Sequence, residues 1–308
     1  MKKALIVGHN GQDGHYLNTF LSRQGYKVTG AGKTEADSIP QLVSSILPDE
    51  IYYLAAFHHS AESLPIDEDS LDAYSMNVHY ESFLNLMKAV EKHSPSSRTF
   101  YASSSHIFSP SDRLLNESSS RTLESAYARS KLKGMEVASE YRSRGFHVSA
   151  GILFNHESPL RKPEFVTRKI SQGVARIAMG YQNELSLGAL DIEMDWGFAG
   201  DYVKAMWFMN NTQDSGEFVI ATGKSHTIRD FAEAAFNVVK LNAHDYIRTS
   251  ENIVTKKSGR RIGDASKLFK LTGWQPETSF QEIVRLMVQS DLDLLNSESS
   301  SQKGYLNV

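Results

Sequence analysis

Through the first half of this 308-residue chain, short apolar runs alternate with stretches whose apolar residues recur every three or four positions. Runs of the first kind suit strands buried on both faces of a parallel sheet, and the stretches between them suit crossover helices. Strands are predicted over residues 4–7, 27–30, 51–55, 99–103 and 147–153, and helices over 14–24, 39–47, 70–92 and 125–144. Leu84, Leu86, Met87 and Val90 form the expected buried stripe of the third helix. From Asn155 onward the alternation loosens, with Pro159 and Pro163 interrupting it. Helices are predicted there over 165–179, 202–209, 228–239 and 280–295, with a strand over 218–221. Residues 296–308 open on a polar low-complexity run and read as a frayed tail.

This order predicts an α/β fold whose first half is built of parallel βαβ units. Composition narrows the class further. A hydrophobic share of 40%, a charged share of 22% and a net charge of −3 describe an ordinary globular protein without the basic excess that nucleic acid demands. The absence of cysteine excludes disulfides, iron–sulfur clusters and thiolate zinc sites and suits a reducing compartment. No apolar stretch is long enough to span a bilayer. The N-terminal apolar run is short and leads into a glycine turn, unlike a signal peptide, so the expected location is cytoplasmic.

That turn, Gly8-x-x-Gly11-x-x-Gly14, lies between the first strand and first helix. Glycines here let the backbone turn sharply and approach a pyrophosphate, which the N–H groups and dipole of the new helix then hold. The residues expected to border a dinucleotide are Gly8, Asn10, Gly11, Gln12, Asp13, Gly14, Lys33, Leu54, Ala55, Ala56, Tyr127, Lys131 and Leu153. After the second strand no acid stands where a ribose 2′-hydroxyl is usually held, and Lys33 suits a 2′-phosphate. NADP is therefore the expected cofactor, with NAD the alternative.

Tyr127 and Lys131 are four apart on a predicted helix and so share a face. A nearby ammonium is expected to lower the phenol's pKa, fitting it to exchange a proton with a sugar hydroxyl. Tyr-x-x-x-Lys alone also describes any surface pair. Its position after the strand ending in Ser103-Ser104-Ser105 favours the catalytic reading. His156-Glu157 has no second histidine at helical spacing, so no metal is expected.

Taken together, the chain resembles the GDP-mannose 4,6-dehydratases among the extended short-chain dehydrogenases/reductases. The resemblance rests on Gly8-x-x-Gly11-Gln12-Asp13-Gly14-x-Tyr16-Leu17, Tyr127-Ala-x-x-Lys131, Asn155-His156-Glu157-Ser158-Pro159, Phe165-Val-Thr-Arg-Lys169 and Asp195-Trp-Gly-x-Ala-x-Asp201. It implies a Rossmann-type, doubly wound parallel sheet with a smaller C-terminal α/β substrate domain: residues 1–154, with a return segment at about 198–223, would bind the dinucleotide, and residues 155–197 and 224–295 the nucleotide sugar. It also implies oxidation at the sugar C4, loss of water across C5–C6 and return of the hydride to C6. Tyr127 would take the C4 hydroxyl proton and Ser104 would hydrogen-bond that oxygen. Asn155, Arg161, Val166, Lys169 and Arg260 would border a GDP-linked hexose.

Three departures from the family pattern qualify this. His106 stands where the family carries the glutamate that acts at C5 and C6; a neutral imidazole can do acid–base work near pH 7. Residues 31–37 replace a longer segment with a basic loop, a helix and a third strand, and the loop that joins the family's tetramers is missing, so a homodimer is expected. Met194 stands where the family carries arginine. Two alternatives stay open: a 4-keto reductase or epimerase on the same scaffold, needing no base at C5, and a catalytically silent homologue that only binds cofactor or nucleotide sugar.

Overall fold

The computed structural model describes residues 1–32, 38–57, 67–249 and 259–298. Its first part runs β1 (Lys3–Val7), α1 (Gln12–Arg23), β2 (Lys27–Ala31), α2 (Ile39–Ile46), β3 (Glu50–Tyr53), α3 (Glu68–Met76), α4 (Ser82–His93), β4 (Arg98–Ser104), α5 (Ala126–Ser143) and β5 (Val148–Leu153). Next come β6 (Asn155–Glu157), α6 (Val166–Ala178), β7 (Leu185–Leu187), β8 (Glu193–Met194), β9 (Trp196–Phe198), α7 (Ala199–Asn211) and β10 (Glu217–Ile220). The chain continues through β11 (His226–Thr227), α8 (Ile228–Val238), α9 (Ala243–Tyr246), β12 (Ile247–Thr249), α10 (Ser266–Thr272) and α11 (Phe280–Glu298).

The main sheet is parallel throughout, in the order β10-β5-β4-β3-β1-β2. Its central strands are buried on both faces, which explains their unbroken apolar runs. Helices α2, α4 and α5 cover one face; α1, α7 and α10 cover the other. Among the described residues β2 is an edge, as the contraction after Gly30 leads one to expect.

Two expectations need correction. The predicted helix over 70–92 is divided into α3 and α4 by a π-helical turn, Asn77–Glu81. Its wider winding turns the following face, so Phe83 is fully buried while Leu84 is only partly so. Helix α11 continues through residue 298, with the Ser297 hydroxyl donating back to the Leu294 carbonyl. Residues 296–298 are thus helical, and 299–308 lie outside the described residues.

The second core lies among α6, α8 and α11. Three short strand pairs frame it: β6 with β9, β7 with β12, and β8 with β11. Buried Asp195 ties this part to the main sheet by accepting from Thr222 N, the Thr222 hydroxyl, Gly223 N and Gly263 N. Behind α6, Arg168 forms a two-pronged ion pair with Asp291 of α11 at 2.9 and 2.8 Å. The Ser171 hydroxyl donates to the same carboxylate at 2.7 Å. Burial pushes Asp291 up to about 6 despite the guanidinium, the usual tension of an ion pair removed from water.

Candidate active site

Beyond the carboxyl ends of β1, β3, β4 and β5 lies a cavity of about 530 Å³, lined by residues from both cores. Ligands of open parallel sheets bind at this edge. A more open depression of about 740 Å³, lined by Asn116, Asp214, Lys267 and Lys270, holds none of the residues selected from sequence.

The glycine turn leads from β1 into α1, whose Asp13 lines the cavity. Gly8 has φ of +92°, and a Cβ there would lie 2.7 Å from Ala55 N. A Cβ on Gly14 would lie 2.4 Å from the His9 carbonyl. These two glycines allow the turn to fold against β3 and onto itself. Gly11 caps α1 without a side chain, so nothing from residue 11 covers the first N–H groups of that helix. The turn therefore fits a dinucleotide pyrophosphate. Asn10 is exposed at its tip. Leu54, Ala56 and Leu153 line the cavity, whereas Ala55 turns into the core. Lys33 lies outside the described residues. Gln12 and Asp13 are held by residues 154–158, Gln12 accepting from the Ser158 hydroxyl and Asp13 pairing with His156, and Asp13 also lines the cavity.

Ser104 ends β4, His106 sits in the single 3₁₀ turn Ser105–Ile107 that follows, and Tyr127 opens α5. The Ser125 side chain caps α5 by accepting from Ala128 N at 3.1 Å. The rings of His106 and Tyr127 meet edge to face, with centroids 5.9 Å apart. Lys131, 1% exposed, lies one turn further along; its Nζ donates to the Ala102 carbonyl at 2.8 Å and sits 5.7 Å from the Tyr127 ring.

Spacing alone predicts a lowered phenol, and the structure corrects that. Burial pushes Tyr127 up to about 12, opposed by a hydrogen bond from Ser104 and the charge of Arg161. Burial also brings Lys131 down to about 7, which weakens its hold on a phenolate at neutral pH. A lysine that loses basicity on folding costs stability where the unfolded chain still holds the proton. The cost is largest below pH 7 and shrinks as pH rises toward 10.5. Lys131→Met is accordingly expected to be more stable than the parent by about 3 kcal/mol at pH 6.5 and to converge with it near pH 10. Thermal melts across that range measure this; a variant less stable at every pH contradicts it.

His79, which sequence reading missed, buttresses the tyrosine. It lies fully buried in the π turn with its ring 5.1 Å from that of Tyr127. Its Nε2 accepts from Phe57 N at 2.9 Å, so Nδ1 carries the proton and donates to Ser130 Oγ at 2.8 Å. The Ser130 hydroxyl in turn donates to the Tyr127 carbonyl. The sequence offers no spacing that links residue 79 to 127.

Asn155, Arg161, Val166 and Lys169 line the far wall of the cavity. Asn155 donates to Met194 Sδ at 3.1 Å. The Arg161 guanidinium stacks 3.5 Å from the Phe165 ring centroid, with Nε 3.2 Å from Glu157 but without good hydrogen-bond geometry. Val166 begins α6, whose N-terminus has no side-chain cap. Arg260, by contrast, is not brought to this wall. It pairs with Glu193 at 2.8 Å and donates to the Asp112 carbonyl at 2.5 Å, while the neighbouring Arg261 donates to Phe108 O.

A glycine turn, a parallel sheet and a serine–tyrosine–lysine group facing one cleft define an extended short-chain dehydrogenase/reductase. Comparison with known proteins narrows this. The family model described as GDP-mannose 4,6 dehydratase matches residues 33–287. GDP-mannose 4,6 dehydratase 2 of Arabidopsis thaliana is 36% identical, covering 100% of this chain and 91% of its own. GDP-mannose 4,6 dehydratase of Cricetulus griseus is 31% identical over 97% of this chain and 94% of its own. The chain belongs to the GDP-mannose 4,6-dehydratase family. Among solved structures, RMD from Pseudomonas aeruginosa complexed with NADPH superposes with a TM-score of 0.85 at 21% identity, covering 96% of this chain and 100% of that one. The dTDP-glucose 4,6-dehydratase from Bacillus anthracis in complex with NAD gives 0.79 at 16%, covering 97% and 98%.

Proposed function

We propose that this chain is a nicotinamide-dependent nucleotide-sugar 4,6-dehydratase acting on a GDP-linked hexose. The observation that carries the reading is the meeting of Ser104, His106, Tyr127 and Lys131 in one cleft between the start of α1 and a wall that carries Arg161 and Lys169. Tyr127 takes the C4 hydroxyl proton while Ser104 holds the oxygen. The dinucleotide, when bound, supplies the hydride acceptor and later the donor. His106 removes the C5 proton and passes it to the departing C6 hydroxyl, so water leaves and the imidazole ends neutral; the enolate left after C6 has received its hydride takes a solvent proton at C5. Arg161, Lys169 and the uncapped start of α6 suit the diphosphate. We read residues 1–154 with 198–223 as the cofactor domain, and 155–197 with 224–295 as the sugar domain.

A second reading, a 4-keto reductase or epimerase, draws on one feature: the titratable ring packed against Tyr127 beside Ser104 is an imidazole and not a carboxylate. Incubation of the pure protein with GDP-mannose and a catalytic amount of NADP+, followed by mass analysis, separates the two. Loss of water supports the dehydratase; an unchanged mass, with a two-hydrogen gain on a 4-keto sugar supplied with stoichiometric NADPH, supports the reductase.

NADP is the proposed cofactor, since the described residues at the end of β2, Ala31 and Gly32, bring no acid for a ribose 2′-hydroxyl. Calorimetry is expected to show tighter NADP+ than NAD+ binding, and the reverse order overturns the choice. We also read the protein as a cytoplasmic homodimer joined through the helical stretch α3–α4 and through α5. Light scattering should return twice the chain mass, and a tetramer would contradict it.

A further inference from the structure

Asp13 is the second residue of α1, so its carboxylate stands in the first turn of the helix whose N–H groups suit a pyrophosphate. An acid there favours the helix itself but opposes an arriving anion. The structure pairs it with His156, 143 positions away at the start of the sugar-side segment. The Nε2 of that ring lies 3.0 and 2.9 Å from the two Asp13 oxygens, and Nδ1 lies 2.7 Å from the Phe154 carbonyl. Both partners only accept, so both ring nitrogens carry protons and the ring is an imidazolium. Further bonds brace the joint: Gln12 Nε2 donates to the His156 carbonyl at 3.1 Å, and the Ser158 hydroxyl donates to Gln12 Oε1 at 2.7 Å. The Tyr202 ring of α7 stacks on the imidazole with centroids 4.7 Å apart.

We infer that the His156 imidazolium cancels the charge of Asp13 so that the start of α1 can receive a dinucleotide pyrophosphate, which makes cofactor affinity depend on the His156 proton. The inference rests on the cofactor reading above. The charges around the pair agree with it. Burial alone lowers His156, but the Asp13 charge and hydrogen bond outweigh it and raise the imidazole above its ordinary value; Arg161, from the loop after β6, opposes this. Burial alone raises Asp13, and the His156 charge and hydrogen bond, with help from Gln12 and Arg161, bring it below the ordinary carboxyl value. Glu157 on β6, Asp195 before β9 and Asp201 on α7 complete the charged surroundings, acting on the Tyr202 ring. As pH rises through the raised imidazole value, His156 loses its proton and leaves an uncompensated carboxylate beside the phosphate site.

Asp13→Asn isolates the effect, because an amide nitrogen can donate to Nε2 of a neutral His156 and keep the contact. NADP+ binding to the full chain is measured by calorimetry from pH 7 to 9.5. Titration of Lys131 and of the cofactor is common to parent and variant and cancels in their ratio. That ratio is expected to grow by about tenfold in favour of Asp13→Asn between pH 7 and the alkaline end. His156→Gln should bind about tenfold more weakly at neutral pH, and Asp13→Asn added to it should restore affinity, a rescue that a purely structural joint would not give. Parallel pH curves for parent and Asp13→Asn, or no rescue in the double variant, overturn the inference while leaving the cofactor reading intact. Absence of NADP+ and NAD+ binding by the parent removes the cofactor reading, and this inference with it.

Discussion

Tyr127→Phe is expected to lower turnover by about 10²–10⁴-fold, the usual worth of a positioned acid–base group, while affinity for dinucleotide and nucleotide sugar stays within a few-fold of the parent. The substitution removes one oxygen and keeps the ring that packs edge-on against both His79 and His106. Ser104, which hydrogen-bonds the phenol, stays at the end of β4. Because burial holds this phenol near 12, the resting enzyme carries it protonated, and it must gain cationic help before taking the C4 proton. Single-turnover formation of reduced nicotinamide reads this step directly. A variant that turns over at the parental rate would remove the start of α5 from the chemistry.

The second large effect falls on a later step. His106→Ala should stop water loss while reduced cofactor still accumulates from C4 oxidation. His79 cannot substitute, since both its ring nitrogens are committed, one to Phe57 N and the other to Ser130. His106→Glu should keep or raise dehydratase activity, because a carboxylate there can carry the same proton from C5 to the C6 hydroxyl. In heavy water the parent enzyme should place solvent deuterium at C5 of its 4-keto product. Product free of deuterium would exclude the elimination and favour the reductase.

The sheet was legible because strands buried on both faces leave unbroken apolar runs, and those around residues 4–7, 99–103 and 147–153 stand close to their observed bounds. The pairing of Tyr127 with Lys131 was legible because helical geometry alone brings them to one face. Burial was not. Spacing says that an ammonium is near a phenol, but only the packed structure shows that both are desolvated and pushed toward their neutral forms. His79 escaped because a π turn breaks the 3.6-residue rhythm on which stripe reading depends. The Asp13–His156 contact spans 143 positions, and no local pattern announces it. Arg260 was expected at the site from the family resemblance alone, whereas its guanidinium is engaged by Glu193 instead.

The clasp behind α6 bears on how the protein is made. Helix α6 carries Val166 and Lys169 of the sugar-side wall, yet Arg168 between them is anchored by Asp291, 123 residues later. Strands β1 to β5 can pair soon after residue 153 leaves the ribosome, since domains generally fold as units from the N-terminal side during synthesis. The wall cannot take its final setting until α11 has emerged and docked. A nascent chain thus passes through a stage in which the glycine turn is formed and the sugar-side wall is not, with the buried face of α6 still uncovered. Ordering of that wall is the late event of biogenesis, and α11 is the element whose arrival completes it.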